Sequence, residues 1–299
     1  IFGTNVGIGS QALIIDGTEA QKQQYLPGMA TGEIIGSFCL TEPEAGSDAA
    51  SVRLTAKKDG DDYLLNGTKR YITNAPKAQL LTVFARTNAN ETGSRGVSAF
   101  LVDVKSAGIS MSQPYRKMGQ QGTYVCDVMF DDVRVSAANL VGGKEDVGFR
   151  TAMKVLDKGR LHISALSVGI AERLIRDSVK YAAERKQFGK PIFEFQMIQS
   201  MLARSQTEMY AARCMVEDAA RRRDAGENVA ALAAACKLFA TEMVGRVADN
   251  AVQIHGGAGY VEDYGIERFY RDVRLFRIYE GTSEIQQTVI AKDLLTQLG

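Results

Sequence analysis

The spacing of apolar residues changes partway along this chain, and this change constrains the fold more than any other feature. In residues 36–143, apolar and β-branched runs such as Leu80–Ala85 and Val97–Val102 are separated by Gly, Asp and Asn clusters, as in an all-β domain. In residues 147–299, apolar residues recur at helical spacing. One predicted helical face consists of Ile163, Leu166, Ile170 and Leu174. Long helices with short connections predict an antiparallel bundle, so the predicted fold class is α+β.

The first 35 residues are also predicted to be helical. Thr18 has the side chain of an N-cap, and Gln21 follows three residues later, which is the spacing of a capping box. The Pro27–Gly28 pair predicts the end of that helix. The chain starts at Ile1 without a Met, and this start is typical of the middle of a domain. We therefore expect the chain to be a fragment or to lack an upstream part.

The remaining boundaries follow from the change in spacing. We predict a central β-domain over 36–143 and a helical bundle over 144–299. Within the β-domain, the Asn66–Gly67 pair is the signal of a tight hairpin turn between two strands. These three segments form the predicted domain organisation.

Composition excludes several classes of function. Lys and Arg number 36 and Asp and Glu 35, and this near balance argues against nucleic acid or an anionic membrane as the main partner. The sequence has no apolar run long enough for a membrane helix. Four cysteines without a CxxC pair predict small buried thiols in a reducing compartment and no metal site. The cysteines are Cys39, Cys126, Cys214 and Cys236.

Glu280 has an unusual setting for a carboxylate. It follows the bulky pair Ile278–Tyr279, precedes Gly281, and falls between two helical patterns. Burial against apolar groups raises a carboxyl pKa toward the range of a general base. The alternative is a surface glutamate in a connecting turn. Few other bases compete, because the chain has only two histidines. His255 has no Cys or carboxylate ligand partner at helical spacing and is interpreted as structural or solvent-facing.

Two segments of the β region carry hydroxyls where a ligand could bind. In the segment Ser37–Asp48, Gly46 permits close approach of a ligand to the backbone, and Thr41 and Ser47 supply hydroxyls. An ordinary Pro/Gly loop would have the same composition. Further on, Tyr71 lies two residues before Thr73. Strand alternation would place this ring and this hydroxyl on one face of the strand, which suits a flat heteroaromatic ligand. Strands that carry an aromatic residue and a threonine are common, however, so this pattern alone is weak.

Two helices of the second half are predicted to end in unusual sequences. The first ends in a basic cluster within Glu184–Pro191, and the second in Gln253–Tyr260, which has three glycines in four residues. Glycines leave backbone N–H groups free for a phosphate or a ribose, although a helix C-cap explains them as well.

Taken in order along the chain, these segments resemble the acyl-CoA dehydrogenase family. The matching motifs are Leu40–Asp48, Tyr71–Asn74, Arg185–Gly189, Gln253–Tyr260 and Tyr279–Thr282. The resemblance covers the whole chain in register. It implies a partial N-terminal helical domain, a central β-barrel or sandwich and a C-terminal four-helix bundle.

The resemblance implies that FAD is the cofactor. The residues expected to hold the flavin ring are Phe38, Leu40, Thr41, Gly46, Ser47, Tyr71, Ile72 and Thr73. The residues expected to reach the adenine half of an FAD bound mainly by a neighbouring subunit are Arg185, Gln187, Phe188, Gln253, Gly256 and Gly257. Thr282 and Glu284 are also expected to touch FAD. Many relatives carry Trp at position 71, and this chain has no Trp at all.

The resemblance also implies the catalytic base and the substrate contacts. The family places its base either in the Tyr-Glu-Gly-Thr motif or just before the arginine that matches Arg160. The second position is Gly159 here, so Glu280 is the implied base. The residues expected to contact the acyl-CoA are Ser47, Asp157, Arg160, Tyr279 and Gly281.

The implied reaction is α,β-dehydrogenation of a saturated acyl-CoA to the trans-2-enoyl-CoA, as in β-oxidation. An electron-transfer flavoprotein is the implied electron acceptor, and a homotetramer, a dimer of dimers, is the implied assembly. The compartment would be the cytoplasm in a bacterium or the mitochondrial matrix in a eukaryote. Alternatives are an acyl-CoA oxidase or a flavin monooxygenase on the same fold, and a non-catalytic scaffold. Acyl length and branching are not predicted.

Overall fold

The computed structural model describes residues 2–298 and divides the chain into two compact units. The first contains the residues up to Lys117 together with Gln121–Leu156. The second contains Met118–Gln120 together with the residues from Asp157 onward. The division falls between Leu156 and Asp157, inside one long helix. The predicted domain boundaries at 35/36 and 143/144 stay predictions.

The first unit begins with three short helices and a π-helical turn at Asn5–Gly9. The helices are α1 (Phe2–Thr4), α2 (Gln11–Asp16) and α3 (Glu19–Thr31). The capping box on α3 is confirmed, because Gln21 N donates to Thr18 Oγ1 at 3.2 Å and Thr18 N donates to Gln21 Oε1 at 3.0 Å. The predicted stop at Pro27 is wrong. The helix continues to Gly32, whose left-handed φ of 84° ends it.

A seven-stranded sheet forms most of the first unit. Its strands are β1 (Gly36–Cys39), β2 (Thr55–Asp59), β3 (Asp62–Thr73), β4 (Leu80–Arg86), β5 (Val97–Asp103), β6 (Ile109–Met111) and β7 (Val125–Ser136). The order is β1-β4-β2-β3-β7-β6, with β5 also pairing with β4. Strand β4 runs parallel to β1 and β2, and the other pairs are antiparallel.

The predicted turn at Asn66–Gly67 is wrong, because β3 runs through it. The register against β7 shifts between Leu65 and Gly67, so this pair forms a bulge. The Asn66 amide exchanges hydrogen bonds with Asp132 across that bulge, at 2.8 and 2.9 Å. The hairpin turn lies earlier, at Gly60, whose φ is 62°. A bulge and a turn both favour a small, conformationally free residue, so the dipeptide alone does not distinguish them.

The second unit is helical. Its elements are α4 (Gly148–Glu184), α5 (Gln196–Asp224), α6 (Ala230–His255), α7 (Gly257–Tyr260), α8 (Ile266–Val273) and α9 (Ser283–Thr296), with a short ribbon of β8 (Lys186–Gln187) and β9 (Lys190–Pro191). The part of α4 in this unit shares a core with α5, α6 and α8. Ile163 and Leu174 are buried there as predicted, whereas Leu166 is exposed.

The described part of the chain, residues 2–298, contains no helix long and apolar enough to cross a membrane. All four cysteines are free. Three are buried, as predicted, but Cys214 is exposed.

Candidate functional site

Glu280 lies in a turn, as the sequence predicts. The turn connects a 3₁₀ segment, Arg274–Arg277, to α9. Glu280 has φ 53° and Gly281 has φ 90°, so two consecutive residues adopt left-handed backbone conformations. Such a conformation costs a non-glycine residue about 1–3 kcal/mol. Surrounding contacts must therefore stabilise the turn.

The Glu280 carboxyl group lies against α4 at Gly159. A Cβ atom added at Gly159 would lie 1.9 Å from Glu280 Oε2 and 2.8 Å from Glu280 Cδ. A side chain at position 159 is therefore incompatible with this position of the carboxyl. Glu280 Oε2 is buried and has no hydrogen-bond partner among residues 2–298. This oxygen is free to take or give a proton.

The electrostatic setting of Glu280 suits acid–base chemistry at neutral pH. Burial raises its pKa from the usual 4.5 to about 7, and the positive charges of Lys237 and Arg160 oppose that rise. A group with this pKa is present in both protonation states near pH 7. General acid–base catalysis is most efficient when the pKa of the group lies near the working pH.

Arg160, the residue after Gly159 on α4, interacts electrostatically with Glu280 and with Asp157. Arg160 Nη1 donates to Asp157 Oδ1 at 2.6 Å, and the Arg160 side chain is buried. Burial lowers the pKa of Arg160, while Asp157 and Glu280 oppose the shift. Arg160 Nε has no partner among the described residues. The structure thus assembles three of the predicted site residues, and their roles toward substrate stay predictions.

The other predicted residues of this turn have structural roles of their own. The ring of Tyr279 stacks on Phe276 with centroids 5.7 Å apart, which gives the turn an apolar wall. Thr282 Oγ1 accepts a hydrogen bond from Ile285 N at 3.3 Å and caps α9. Glu284 is exposed in the first turn of α9, where an acidic residue is favoured by the helix dipole.

Two residues at this turn were missed by sequence reasoning. Lys237, on α6, is fully buried, and its Nζ donates to the carbonyl oxygen of Gly281 at 2.6 Å. Gln286, on α9, is also fully buried, and its Nε2 donates to the same oxygen at 2.9 Å. A signal for Lys237 was present, because it lies at helical spacing from buried Ala233 and Ala240 on an Ala-rich face.

The predicted flavin-ring residues all belong to the first unit. Phe38 and Leu40 pack with one of its apolar clusters, and Ile72 belongs to another. The hydroxyls of Thr41, Ser47 and Thr73 have no hydrogen-bond partner within residues 2–298. A Cβ added at Gly46 would meet nothing within 4 Å. A hydroxyl without a protein partner can donate to or accept from a ligand, so these residues stay predicted contacts of the polar edge of a flavin.

Tyr71 does not follow simple strand alternation. A register shift separates Lys69 from Ile72, and Tyr71 has φ 58°, so the bulge interrupts the period of two on which the prediction for Tyr71 and Thr73 relied. Tyr71 N donates to Asp127 Oδ1 at 3.3 Å, which holds the bulge. The Tyr71 side chain is 59% exposed.

A buried ion pair supports the loop after β1. Lys69 Nζ lies 2.7 Å from Glu42 Oε1 and donates to the Leu40 carbonyl at 3.0 Å. The Glu42 carboxylate also accepts from the backbone N–H groups of Arg53 and Leu54, at 2.7 and 3.0 Å. No pattern in the sequence indicated that Lys69 and Glu42 would form this pair.

The residues predicted to reach the adenine half lie in the second unit, in the last turn of α6 and in the residues that follow α4 and α6. The rings of Tyr181 and His255 stack at 4.4 Å, which brings the ends of these helices together. His255 Nδ1 lies 2.7 Å from the Ala251 carbonyl oxygen, consistent with its structural interpretation. The predicted residues here are Arg185, Gln187, Phe188, Gln253, Gly256 and Gly257. A Cβ at Gly256 or Gly257 would meet nothing within 4 Å, and Phe188 is 93% exposed.

Two family models match this sequence. The acyl-CoA dehydrogenase middle domain matches residues 37–133, and the acyl-CoA dehydrogenase C-terminal domain matches residues 146–295.

The chain belongs to the acyl-CoA dehydrogenase family.

Curated relatives and solved structures agree with this assignment. A 3-(aryl)acrylate reductase of Clostridium sporogenes is 46% identical over 96% of this chain and 76% of its own length. The caffeyl-CoA reductase-Etf complex subunit CarC of Acetobacterium woodii is 45% identical over 95% of this chain and 74% of its own. Butyryl-CoA dehydrogenase from Megasphaera elsdenii superimposes with a TM-score of 0.93, at 39% identity, over 97% of this chain and 76% of that one.

These findings confirm the family, the fold class and the enzyme class predicted from the motifs. The protein is an oxidoreductase of the acyl-CoA dehydrogenase family, and it spans about three quarters of the length of these relatives. Flavin binding is implied by the family. One solved neighbour, PigA with FAD and proline, is 30% identical with a TM-score of 0.95, over 98% of this chain and 76% of that chain.

Proposed function

We propose that this acyl-CoA dehydrogenase-family protein oxidises a saturated acyl-CoA thioester to the trans-2-enoyl-CoA, with Glu280 as the base that removes the α-proton. The observation that carries this proposal is the buried Glu280 carboxyl, with a pKa near 7 and one unpartnered oxygen. A carboxylate in this state accepts a proton without first breaking a hydrogen bond.

The α-proton becomes acidic only when the thioester carbonyl is polarised. The backbone N–H of Glu280 has no hydrogen-bond acceptor among residues 2–298, so it is available to donate to that carbonyl oxygen. One such donor typically stabilises the transition state by about 3 kcal/mol. Arg160 and Asp157 would bind the acyl-CoA, Tyr279 would supply an apolar wall, and Gly281 and Ser47 would contact the substrate as predicted.

FAD is the proposed cofactor. When bound, it would accept the hydride that leaves the β-carbon. Thr41, Ser47 and Thr73 would supply hydrogen bonds to the ring, and the exposed Tyr71 would supply aromatic contact. The exposed ends of α4 and α6 would reach the adenine half of a flavin held by another copy of the chain, so we also propose a homotetramer. Electrons would pass to an electron-transfer flavoprotein, in the bacterial cytoplasm or the mitochondrial matrix.

The reverse reaction is a second candidate, because relatives of this chain are named for it. A 3-(aryl)acrylate reductase and a caffeyl-CoA reductase subunit are 46% and 45% identical to it. In this direction Glu280 would donate its proton to the α-carbon of an enoyl-CoA, and a bound, reduced FAD would supply the hydride to the β-carbon. A pKa of about 7 leaves enough of the protonated form of Glu280 for that role.

A flavin-dependent oxidase is a third candidate function. It would be distinguished by oxygen consumption when acyl-CoA is added.

The test is anaerobic mixing of the FAD-loaded protein with a panel of acyl-CoA thioesters, followed by flavin absorbance. We expect bleaching with at least one saturated thioester, and loss of that bleaching by about 10²–10⁴-fold in Glu280→Gln, the range for removal of a general base. Glu33→Gln is the matched control, because Glu33 is exposed and belongs to the first unit. Wild-type bleaching by Glu280→Gln would exclude Glu280 as the base. Bleaching by no saturated thioester, with reoxidation of chemically reduced protein by an enoyl-CoA, would favour the reductase.

A further inference from the structure

The Gly281 carbonyl oxygen receives two hydrogen bonds from buried side chains of different helices. Lys237 Nζ reaches it from α6 at 2.6 Å, and Gln286 Nε2 reaches it from α9 at 2.9 Å. The amide of Gln286 also approaches the Glu280 carbonyl, at 3.5 Å. These contacts fix the backbone immediately after the proposed base.

The turn needs such support because of its backbone conformation. Both Glu280 and Gly281 have left-handed φ angles, and only a defined turn keeps the Glu280 carboxyl over the open Cα of Gly159. Displacement of a reacting group by about 1 Å can reduce a rate by about 100-fold. Contacts that hold the Gly281 peptide therefore also hold the geometry of the carboxyl.

The charge of Lys237 is directed toward the same turn. No carboxylate oxygen lies within 4.0 Å of its Nζ among the described residues. The charged groups that face it are Glu280 from the turn, Arg160 from α4, Glu242 from α6 and Glu284 from α9. Glu242 is already hydrogen-bonded to Arg277 and Ser283, at 3.3 and 2.8 Å, and Glu284 is exposed.

We propose that Lys237 is a positioning residue for this reaction, which fixes the Glu280 turn through the Gly281 carbonyl and whose ammonium charge favours the ionised form of Glu280. The inference rests on the function proposed above. Two further observations support it. Among the charges that counter the burial of Glu280, Lys237 is the largest. Burial lowers the pKa of Lys237 to about 8, so the ammonium form still dominates at neutral pH.

The experiment compares three variants of the FAD-loaded protein. Lys237→Met removes the charge and the hydrogen bond, Lys237→Gln keeps a donor without charge, and Gln286→Met removes a neutral donor of similar volume. The first readout is the pH dependence of flavin reduction at limiting acyl-CoA, which reports groups in the free enzyme. The second is hydrogen exchange of the amides of Tyr279–Thr282, which does not depend on turnover.

We expect both Lys237 variants to move the acid limb to higher pH by about one unit, because loss of a nearby positive charge raises the pKa of a carboxyl. Gln286→Met should leave the limb in place. Faster amide exchange is expected in Lys237→Met and Gln286→Met, and less so in Lys237→Gln. Should Lys237→Met fail to fold, Lys237→Gln and Gln286→Met still separate charge from positioning.

An unchanged acid limb in both Lys237 variants would overturn the charge effect, and unchanged amide exchange in Lys237→Met would overturn the positioning role. These outcomes differ from failure of the proposed function. That failure would appear as wild-type flavin reduction in Glu280→Gln, and the exchange measurement would then still decide whether Lys237 fixes the turn.

Discussion

Each unit of the molecule contains a fully buried lysine that donates to a backbone carbonyl, but the two lysines face different surroundings. Lys69 is paired with the Glu42 carboxylate at 2.7 Å, and that carboxylate is itself satisfied by two backbone N–H groups. Lys237 has a neutral carbonyl at 2.6 Å and no carboxylate within salt-bridge distance among residues 2–298. The Lys69–Glu42 ion pair stabilises the loop after β1. The charge of Lys237 is not neutralised by a salt bridge within residues 2–298, so it can affect the ionisation of Glu280.

The largest effect that tests this comparison is expected for Lys69→Met. It leaves Glu42 buried without its countercharge, which should reduce the free energy of unfolding by about 3–5 kcal/mol. Lys237→Met should reduce it by less, about 1–2 kcal/mol, because loss of the hydrogen bond and of the charge that favours ionised Glu280 is partly offset by removal of a buried ammonium. Denaturant titration of both variants measures the difference. Equal losses would show that the two lysines are equivalent.

Glu280 and Glu42 should also differ in how their replacement by Gln changes the stability of the protein with pH. The folded pKa of Glu280, about 7, lies above the 4.5 of the unfolded chain. Its cost to stability is therefore absent below pH 4.5, grows as pH rises to 7, and is complete above it, at about 3 kcal/mol. Glu280→Gln should be more stable than wild type by about that amount at pH 8 and equal to it at pH 4. Glu42→Gln should instead lose stability at pH 8, because it breaks a buried pair. Thermal or denaturant unfolding at the two pH values provides the measurement.

A third prediction concerns the space at Gly159 that the Glu280 carboxyl occupies. Gly159→Ala places a methyl group 1.9 Å from the present position of Glu280 Oε2, so the carboxyl must move. We expect flavin reduction by substrate to slow by about 100-fold, equivalent to about 2.7 kcal/mol. Gly169→Ala is the control on the same helix, since its Cβ would meet nothing within 4 Å. It should leave the rate unchanged and stabilise the helix slightly.

The smallest effect contrasts two glycines that were both predicted to contact ligands. Gly281 has φ 90°, and a Cβ there would lie 2.6 Å from Gln286 Nε2, so Gly281→Ala should destabilise the protein by about 1–2 kcal/mol. Gly46 has open space around it, and Gly46→Ala should be neutral or stabilising by less than about 1 kcal/mol. Melting temperatures of the flavin-free proteins compare them. A larger fall in melting temperature for Gly46→Ala than for Gly281→Ala would contradict the prediction that only position 281 requires glycine.

Much of the architecture could be predicted from local patterns. The change from strand-like to helical spacing is a direct consequence of burial on one face of each element, and it separated the sheet from the bundle. The capping box at Thr18 was readable because all of its partners lie within three residues. Glu280 was readable as a turn residue because helical patterns stop on both sides of it.

Features that depend on distant parts of the chain could not be predicted. The bulge at Asn66 is specified by Asp132 on another strand, and the Pro27 signal was overridden by a better terminator at Gly32. The burial of Lys237 depends on Gly281, which is 44 residues away. Sequence spacing identified the acid at the site but not the groups that hold it, because those groups meet only through packing.

The contact between the Glu280 carboxyl and Gly159 also restricts which substitutions this chain can accept during evolution. The family resemblance allows a base at position 159 or at position 280. A glutamate introduced at 159 would collide with the Glu280 side chain, and loss of Glu280 first would leave no base at either position. Under the proposed function, every single-substitution route between the two arrangements therefore passes through a protein without a working base. The absence of a side chain at Gly159 would then favour retention of Glu280, because each first step away from the present arrangement would impair the protein.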